Sequence, residues 1–142
     1  MPGKNTHITA GVVSAVPAIV LCKKAAGRAL SPITAAGILA ASVAGSTLPD
    51  RLEPADCPNH RGFLHSVVAG TVAFLLVPEC LNAIRSIAES ETEALFYNSR
   101  EEECKREILL SFLCFITASL FGFLSHQILD VFTPAGLPVL GK

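Results

Sequence analysis

Charged residues are scarce in this sequence, and positive charge is not in excess. Only 16% of the 142 residues are charged, and eleven Lys and Arg are balanced by twelve Asp and Glu. A protein that binds nucleic acid needs a basic surface to neutralise phosphates, and this chain has no such excess. We therefore expect no DNA or RNA ligand.

Closely spaced cysteine pairs are also missing. The five cysteines are odd in number, and none forms a Cys-x-x-Cys motif. This spacing indicates neither a disulfide framework nor a cysteine-rich zinc knuckle. We interpret most of them as packing residues. Cys57 is interpreted as a loop thiol, with metal ligation as the alternative because it lies between Asp50 and His60.

Apolar residues, by contrast, make up 51% of the chain and give a mean hydropathy of +0.52. Four apolar stretches bounded by charged residues cover 8–22, 30–48, 63–81 and 108–124. About twenty residues at about 1.5 Å each cross the hydrocarbon core of a bilayer. We predict one all-α domain over 1–142, a polytopic membrane bundle of four transmembrane helices. A soluble all-helical domain is the alternative.

The first and second stretches have distinct features. The first is short and contains Pro17, so it spans only if its flanks reach the interface or the bilayer thins. Lys23 and Lys24 follow it directly, which disfavours a cleaved signal peptide because processing sites need small neutral residues. The second stretch is an expected inner packing helix, since small residues recur four apart. These pairs are Ala36/Ala40, Gly37/Ala41 and Ala41/Gly45.

The connections differ in composition. Residues 49–61 form a Pro-rich loop that contains Asp, Glu, Cys and His. Residues 82–107 contain eleven of the 23 charged residues, with apolar residues continuing at helical spacing from the third stretch. This pattern predicts an amphipathic, charged helical hairpin in water between the third and fourth spans.

Connectivity decides where the ionisable residues lie. His7 precedes the first span, the second ends near Asp50, and the fourth returns from the charged hairpin. Four crossings therefore bring six residues to one membrane face: His7, Asp50, His60, His65, His126 and Asp130. Ionisable groups at membrane depth usually mark a functional site, although any single histidine there can be an ordinary interfacial residue. We predict a metal or catalytic site.

The Lys and Arg distribution predicts the orientation. Seven of these residues flank the opposite face, namely Lys23, Lys24, Arg28, Arg85, Arg100, Lys105 and Arg106. Four flank the histidine face, namely Lys4, Arg51, Arg61 and Lys142. By the positive-inside rule, the predicted site faces away from the cytoplasm.

The residue types indicate a divalent metal. His126 and Asp130 are four apart, so both project from one helical face and can bind one ion. Asp50 and His65 would complete a tetrahedral set, and His7 is a further candidate ligand. Imidazole nitrogen with carboxylate oxygen suits zinc best, with manganese or iron as alternatives.

A hydrolase needs a metal ion with an open position, where water loses a proton near neutral pH. His7 and His60 are candidates for a second ion or for proton transfer, and we place His60 with Arg61 as the predicted catalytic residues. Arg61 can pair with a phosphate through its planar fork, or can be a snorkelling interfacial residue. Ser66 has no triad, so we expect it to hydrogen-bond a neighbouring group rather than act as a nucleophile.

Four ordered motifs resemble a known family. They are Thr6-His7, Gly45-Ser-Thr-Leu-Pro-Asp50, His60-Arg-Gly-Phe-Leu-His-Ser66 and Ser125-His-Gln-Ile-Leu-Asp-Val-Phe-Thr-Pro-Ala-Gly136. This series resembles the bacterial inner-membrane metal-dependent hydrolases of the YdjM type. The resemblance implies a multi-pass protein of the bacterial inner membrane with a metal-dependent hydrolase activity. The order Asp50, His65, His126, Asp130 is also similar to part of the ligand set of zinc-dependent phospholipases C.

Two positions depart from the family pattern. Leu52 stands where the family tends to have a second Asp, and Leu64 where it tends to have Thr before the His-Ser pair. If the missing carboxylate binds a second metal in the family, Glu53 or Asp56 must replace it, or the site holds one ion.

We therefore predict hydrolysis of a phosphoester or related bond, with membrane lipids as surroundings and a lipid or lipid-linked substrate. The alternative is a non-catalytic scaffold or regulatory protein whose metal ties helix ends together. A transporter or channel is disfavoured because the spans offer only scattered Ser and Thr.

Overall fold

The computed structural model describes residues 4–53, 63–94 and 100–132. Its elements are α1 (Lys4–Ala26), α2 (Pro32–Leu52), a 3-10 turn (Phe63–His65), α3 (Val67–Ala94) and α4 (Arg100–Val131). All four α-helices are long and apolar enough to cross a membrane. The described part of the chain contains helices and no strand, which confirms the predicted all-α bundle of four spanning helices.

α1 is longer than the apolar stretch that predicted it. Its 23 residues extend for about 35 Å and include Pro17, so it spans without bilayer thinning. The apolar stretch is shorter than α1 because polar residues at the membrane interface continue the helix at both ends. α1 ends at Gly27, whose positive φ of 65° is the left-handed conformation that glycine adopts readily. Ser31 then caps α2, because its Oγ accepts a hydrogen bond from the Thr34 N–H at 3.0 Å.

The loop predicted over 49–61 starts too early. α2 continues through Pro49 to Leu52, and the Glu53 N–H donates to the Pro49 carbonyl at 2.8 Å. Proline lacks only its own N–H, so helical bonding resumes on the next turn, as is common in membrane helices. Asp50 therefore lies on the last turn of a helix rather than in a loop.

The third span also differs at its start. Residues Phe63–His65 form a separate 3-10 turn, and α3 begins at Val67. Ser66 causes this break, since its Oγ accepts from the Ala69 N–H at 3.2 Å and donates to the Phe63 carbonyl at 2.6 Å. The predicted role of Ser66 as a partner of neighbouring backbone groups agrees with these bonds. At the other end, α3 extends to Ala94 and α4 starts at Arg100, so the described parts of the charged segment are helical, whereas the turn of the predicted hairpin lies outside the described residues.

Small residues allow α2 and α4 to pack backbone against backbone. A Cβ atom at Gly45 would overlap the Ser119 carbonyl oxygen, and one at Gly122 would overlap the Ser42 carbonyl oxygen. α2 packs on α1 and α4, whereas α3 packs on α4 and α1. Large apolar side chains such as Val13 and Phe74 point outward, as expected where lipid replaces water.

An ion pair marks one end of the bundle. Arg28, in the turn after α1, contacts the carboxylate of Glu107 near the start of α4. The connection between α1 and α2 therefore lies at the same end of the bundle as the charged segment, as the predicted connectivity requires. His7 and Asp130 lie at the opposite ends of the same two helices.

Candidate metal site

Five of the predicted site residues meet at the end of the bundle remote from the Arg28–Glu107 pair. They come from four elements: His7 from the start of α1, Asp50 from the end of α2, His65 from the 3-10 turn, and His126 and Asp130 from the end of α4. We call these five residues the His/Asp cluster. The three imidazoles are at most 2% exposed and Asp130 is buried. The Asp50 side chain is 38% exposed, so the cluster opens to its surroundings at Asp50.

Nitrogen and oxygen atoms of the cluster lie close together. Nε2 of His126 is 3.3 Å from Oδ2 of Asp130, and Nε2 of His65 is 3.8 Å from the same oxygen. On the other side, Oδ1 of Asp50 lies 3.4 Å from Nε2 of His65 and 3.8 Å from Nε2 of His126. The two carboxylates therefore flank the same pair of imidazole nitrogens.

His126 is the centre of the three rings. Its ring stacks on that of His7, with centroids 4.1 Å apart and planes at 27°. The His65 ring meets it edge-on, with centroids 5.1 Å apart and planes at 65°. His7 completes the cluster through Nε2, which is 3.8 Å from Oδ2 of Asp50.

The hydrogen bonds on the outer nitrogens determine which nitrogens face inward. Nδ1 of His126 lies 2.8 Å from the Ser46 carbonyl oxygen, which can only accept, so Nδ1 carries the proton and donates it. Nδ1 of His65 donates in the same way to Oε2 of Glu53 at 2.8 Å. Both rings therefore turn Nε2 toward the carboxylates of the cluster. Outer hydrogen bonds of this kind orient metal-ligating histidines in many proteins.

Glu53 is held in place by two donors. Its Oε1 also accepts the Leu64 N–H at 3.1 Å, so this carboxylate joins the end of α2 to the 3-10 turn. Burial raises the pKa of the Glu53 carboxyl, but the hydrogen bonds from the His65 ring and the Leu64 N–H outweigh it and lower the pKa overall. Glu53 is thus an anion on the outer side of His65.

One buried nitrogen of the cluster favours cation binding. Nε2 of His126 lies between the carboxylates of Asp50 and Asp130 and has no hydrogen-bond partner among the described residues. Buried polar atoms are normally paired, so an unpaired imidazole nitrogen beside carboxylates needs an explanation. Tetrahedral zinc bonds of about 2.0–2.1 Å place neighbouring ligand atoms about 3.3 Å apart, close to the separations in the cluster. The donor set fits a divalent metal.

The described residues fit one ion better than two. Two triads have ligand atoms within 4.8 Å of one another, namely His7–Asp50–His126 and His65–His126–Asp130. Both triads include His126, whose Nδ1 is already bonded to Ser46. Its single remaining nitrogen can serve only one ion, so the triads are not two separate sites.

Several other residues named in the sequence analysis are not part of the His/Asp cluster as the structure describes it. His60, Arg61, Cys57 and Asp56 lie outside the described residues. Leu52 is exposed on the last turn of α2, away from the cluster. Leu64 contributes through its backbone, since its N–H binds Glu53 and its carbonyl accepts from Nε2 of Gln127.

The residues that orient the histidines were not predicted from sequence. The sequence indicates Glu53 only as a possible ligand of a second metal. In the structure, its Oε2 accepts a hydrogen bond from Nδ1 of His65. The Ser46 carbonyl is a backbone group and has no sequence signal. Gln127, buried beside His126, was visible in the Ser-His-Gln motif but had no predicted role.

A family model described as "YdjM inner membrane protein" matches residues 1–141 of the chain. No curated protein and no solved structure matches the chain. The match covers nearly the whole chain and therefore includes all five residues of the His/Asp cluster. Its description gives a location in a membrane and names neither a metal nor a reaction.

Proposed function

The chain belongs to the YdjM inner membrane protein family, and we propose that it is a membrane-bound, metal-dependent hydrolase of a lipid or lipid-linked phosphoester. Together with the four spanning helices, the family shows that the protein is embedded in a membrane. The cluster lies at one end of these helices, where polar lipid headgroups meet protein. The observation that carries the proposal is the convergence of three imidazoles and two carboxylates, with Nε2 of His126 left without a hydrogen-bond partner between them.

Five residues of the cluster would hold the ion: His7, Asp50, His65, His126 and Asp130. Zinc is the first choice for this nitrogen and oxygen set, with manganese or iron as alternatives. When bound, such an ion supplies Lewis-acid activation of water and stabilises negative charge on a substrate oxygen.

The protein groups have separate roles in this proposal. Glu53 and the Ser46 carbonyl hold His65 and His126 in the tautomer that presents Nε2. Asp130 is buried and shields the inner side of the cluster from water, whereas the partly exposed Asp50 marks the side from which a substrate enters. His60 and Arg61 precede the 3-10 turn in sequence, and we propose them for proton transfer and for pairing with a phosphate.

We also propose that the cluster faces away from the cytoplasm, as the positive-inside rule predicts from the Lys and Arg distribution. The support is that Arg28 and the charged hairpin share the end opposite the cluster. That end carries the greater number of basic residues.

The rival function is a non-catalytic scaffold with a structural metal. In its favour, five donors are enough to close a tetrahedral shell, and four of the five donor residues are buried. A scaffold would bind the metal but form no product from any substrate, and this distinguishes it from the hydrolase.

Purified protein in lipid nanodiscs, loaded with zinc, tests the proposal. Phospholipids and lipid pyrophosphates are offered, and the release of phosphate or phosphorylated headgroup is measured alongside zinc content by elemental analysis. We expect turnover by the natural protein and by Leu109→Ala, a lipid-facing control on α4. His126→Ala should lose both zinc and turnover. Zinc binding by the natural protein and by Leu109→Ala, but not by His126→Ala, without turnover of any substrate would contradict the hydrolase and favour a scaffold. Full zinc retention by His126→Ala would remove the site.

A further inference from the structure

A groove of about 690 Å³ runs between α1 and α4 on the outer surface of the bundle. Its volume lies within the range of about 300–1,000 Å³ that is usual for small-molecule sites. Val13, Pro17 and Leu129 form apolar walls, whereas Asn5 and Thr6 lie at the cluster end. The groove is therefore amphipathic along its length.

Three of the four hydroxyl groups that line the groove, those of Thr9, Ser14 and Ser125, are bonded to carbonyl oxygens of their own helices. Thr9 Oγ1 donates to the Asn5 carbonyl at 2.9 Å, and Ser125 Oγ donates to the Gly122 carbonyl at 2.7 Å. These hydroxyl protons are satisfied without water, so the surface they share is compatible with hydrocarbon. The neighbouring side chains of Val13 and Ile128 are 64% and 59% exposed, on a surface that faces lipid.

The α1 wall of the groove is about as long as one bilayer leaflet is thick, whereas α4 lines the groove only from Ser125 to Leu129. The lining positions on α1 run from Asn5 to Pro17, which corresponds to about 18 Å of helix. Half of the hydrocarbon core is about 15 Å thick. A chain that starts at the cluster end of the groove therefore reaches the middle of the membrane.

The groove also lies directly beside the His/Asp cluster. Thr6 precedes His7 in α1, and Ser125 precedes His126 in α4, so this end of the groove lies at the same level along the helices as the two stacked imidazoles. A lipid whose acyl chain occupies the groove has its glycerol and phosphate at the level of these rings.

We propose that this groove binds one acyl chain of a phospholipid from the leaflet on the side of the cluster. The apolar walls bind the chain, and the polar end formed by Asn5 and Thr6 holds the headgroup region at the level of His7. The inference rests on the proposed hydrolase function in one respect only, that the lipid held here is the substrate. Binding itself follows from the groove.

Photo-cross-linking tests the groove without requiring turnover. The natural protein is reconstituted in phosphatidylethanolamine nanodiscs doped with an analogue that carries a diazirine in its acyl chain, and labelled peptides are mapped by mass spectrometry. We expect labels concentrated on the α1 segment around Val13 and on the α4 segment around Leu129. Labels spread evenly over all lipid-facing surfaces, including Val72 and Leu75 of α3, would overturn the proposal.

A pair of matched substitutions sharpens the test. Ala10→Phe fills the groove, whereas Ala40→Phe adds the same ring to an exposed position of α2. Groove labelling should be lost in Ala10→Phe and kept in Ala40→Phe, and equal labelling of both would contradict the proposal. If Ala10→Phe does not fold, the label map of the natural protein still decides.

The two proposals fail separately. His126→Ala should keep groove labelling, because the groove walls do not include that side chain. Preserved labelling therefore supports the groove even where no protein hydrolyses lipid, a result that counts against the hydrolase alone. Loss of groove labelling in His126→Ala would overturn the proposed independence of the groove from the cluster.

Discussion

Oε2 of Glu53 accepts a hydrogen bond from Nδ1 of His65 at 2.8 Å, on the side of the ring that faces away from the other cluster residues. This bond places the carboxylate on the outer nitrogen of His65, and we propose that it orients the ring. It also fixes His65 in the tautomer whose Nε2 faces Asp50 and Asp130. The consequences of this contact can be measured.

Removing the Glu53 carboxylate should weaken metal binding without removing a ligand. Loss of an outer-shell partner typically lowers metal affinity about 10–100-fold, and we expect this range for Glu53→Ala. Glu53→Gln should fall between, since its amide oxygen still accepts from Nδ1 but carries no charge. Competition with a zinc-chelating dye measures the affinities. The exposed Glu89→Ala on α3 is the control, and equal affinity of Glu53→Ala and Glu89→Ala would refute the orienting role.

Metal should stabilise the folded bundle. An ion that binds only the native state adds about 2.7 kcal/mol at a free concentration one hundred times its Kd. Thermal unfolding in detergent micelles should therefore shift upward with zinc and downward with a chelator. His126→Ala should show neither shift, because both triads lose a donor. A zinc-dependent shift of the same size in His126→Ala would place the metal elsewhere.

The contact between α2 and α4 should not tolerate added volume. A Cβ atom at Gly122 meets the Ser42 carbonyl oxygen, so Gly122→Ala forces the helices apart, at a cost of about 1–3 kcal/mol. Gly70→Ala is the matched control, since its Cβ would lie 3.7 Å from Gln127 in ordinary contact. That change should be neutral or stabilising by up to about 1 kcal/mol, because alanine favours a helix.

Unfolding of both glycine variants in micelles, followed by circular dichroism against added sodium dodecyl sulfate, gives the comparison. A Gly122→Ala protein as stable as Gly70→Ala would show that the two helices do not approach as closely as described.

The orientation predicted by the basic residues can be read with fused reporters. The Lys and Arg distribution places the charged hairpin in the cytoplasm and the cluster on the other side. Alkaline phosphatase, which is active only outside the cytoplasm, should be active when fused after Lys142, and a fluorescent-protein fusion there should be dark. The same pair of reporters fused after Ala94, within the charged hairpin, should give the opposite pattern. The opposite result at both fusion sites would show that the cluster faces the cytoplasm.

Much of the site was predictable because it depends on connectivity. Four successive membrane spans force alternating crossings, and that alone brings His7, Asp50, His65 and His126 to one end. The ends of the helices were less predictable. An apolar stretch ends at the first charged residue, whereas a helix ends where its backbone hydrogen bonds end. Asp50 is an example, since α2 carries it on a helical turn past Pro49.

The contacts within the cluster were not predictable in the same way. They depend on the rotation of each helix about its axis, which follows from how closely α2 and α4 pack at Gly45 and Gly122. That packing brings the Ser46 carbonyl to His126, a backbone partner that no residue pattern indicates.

The sequence by itself therefore determined four membrane spans and the end at which the histidines gather, because hydropathy and chain order act along the chain. Only the tertiary structure decided that Glu53 orients His65, that His126 belongs to both triads, and that a groove opens beside them. These features arise from contacts between helices, whose depth and rotation depend on side-chain volume at positions far apart in sequence.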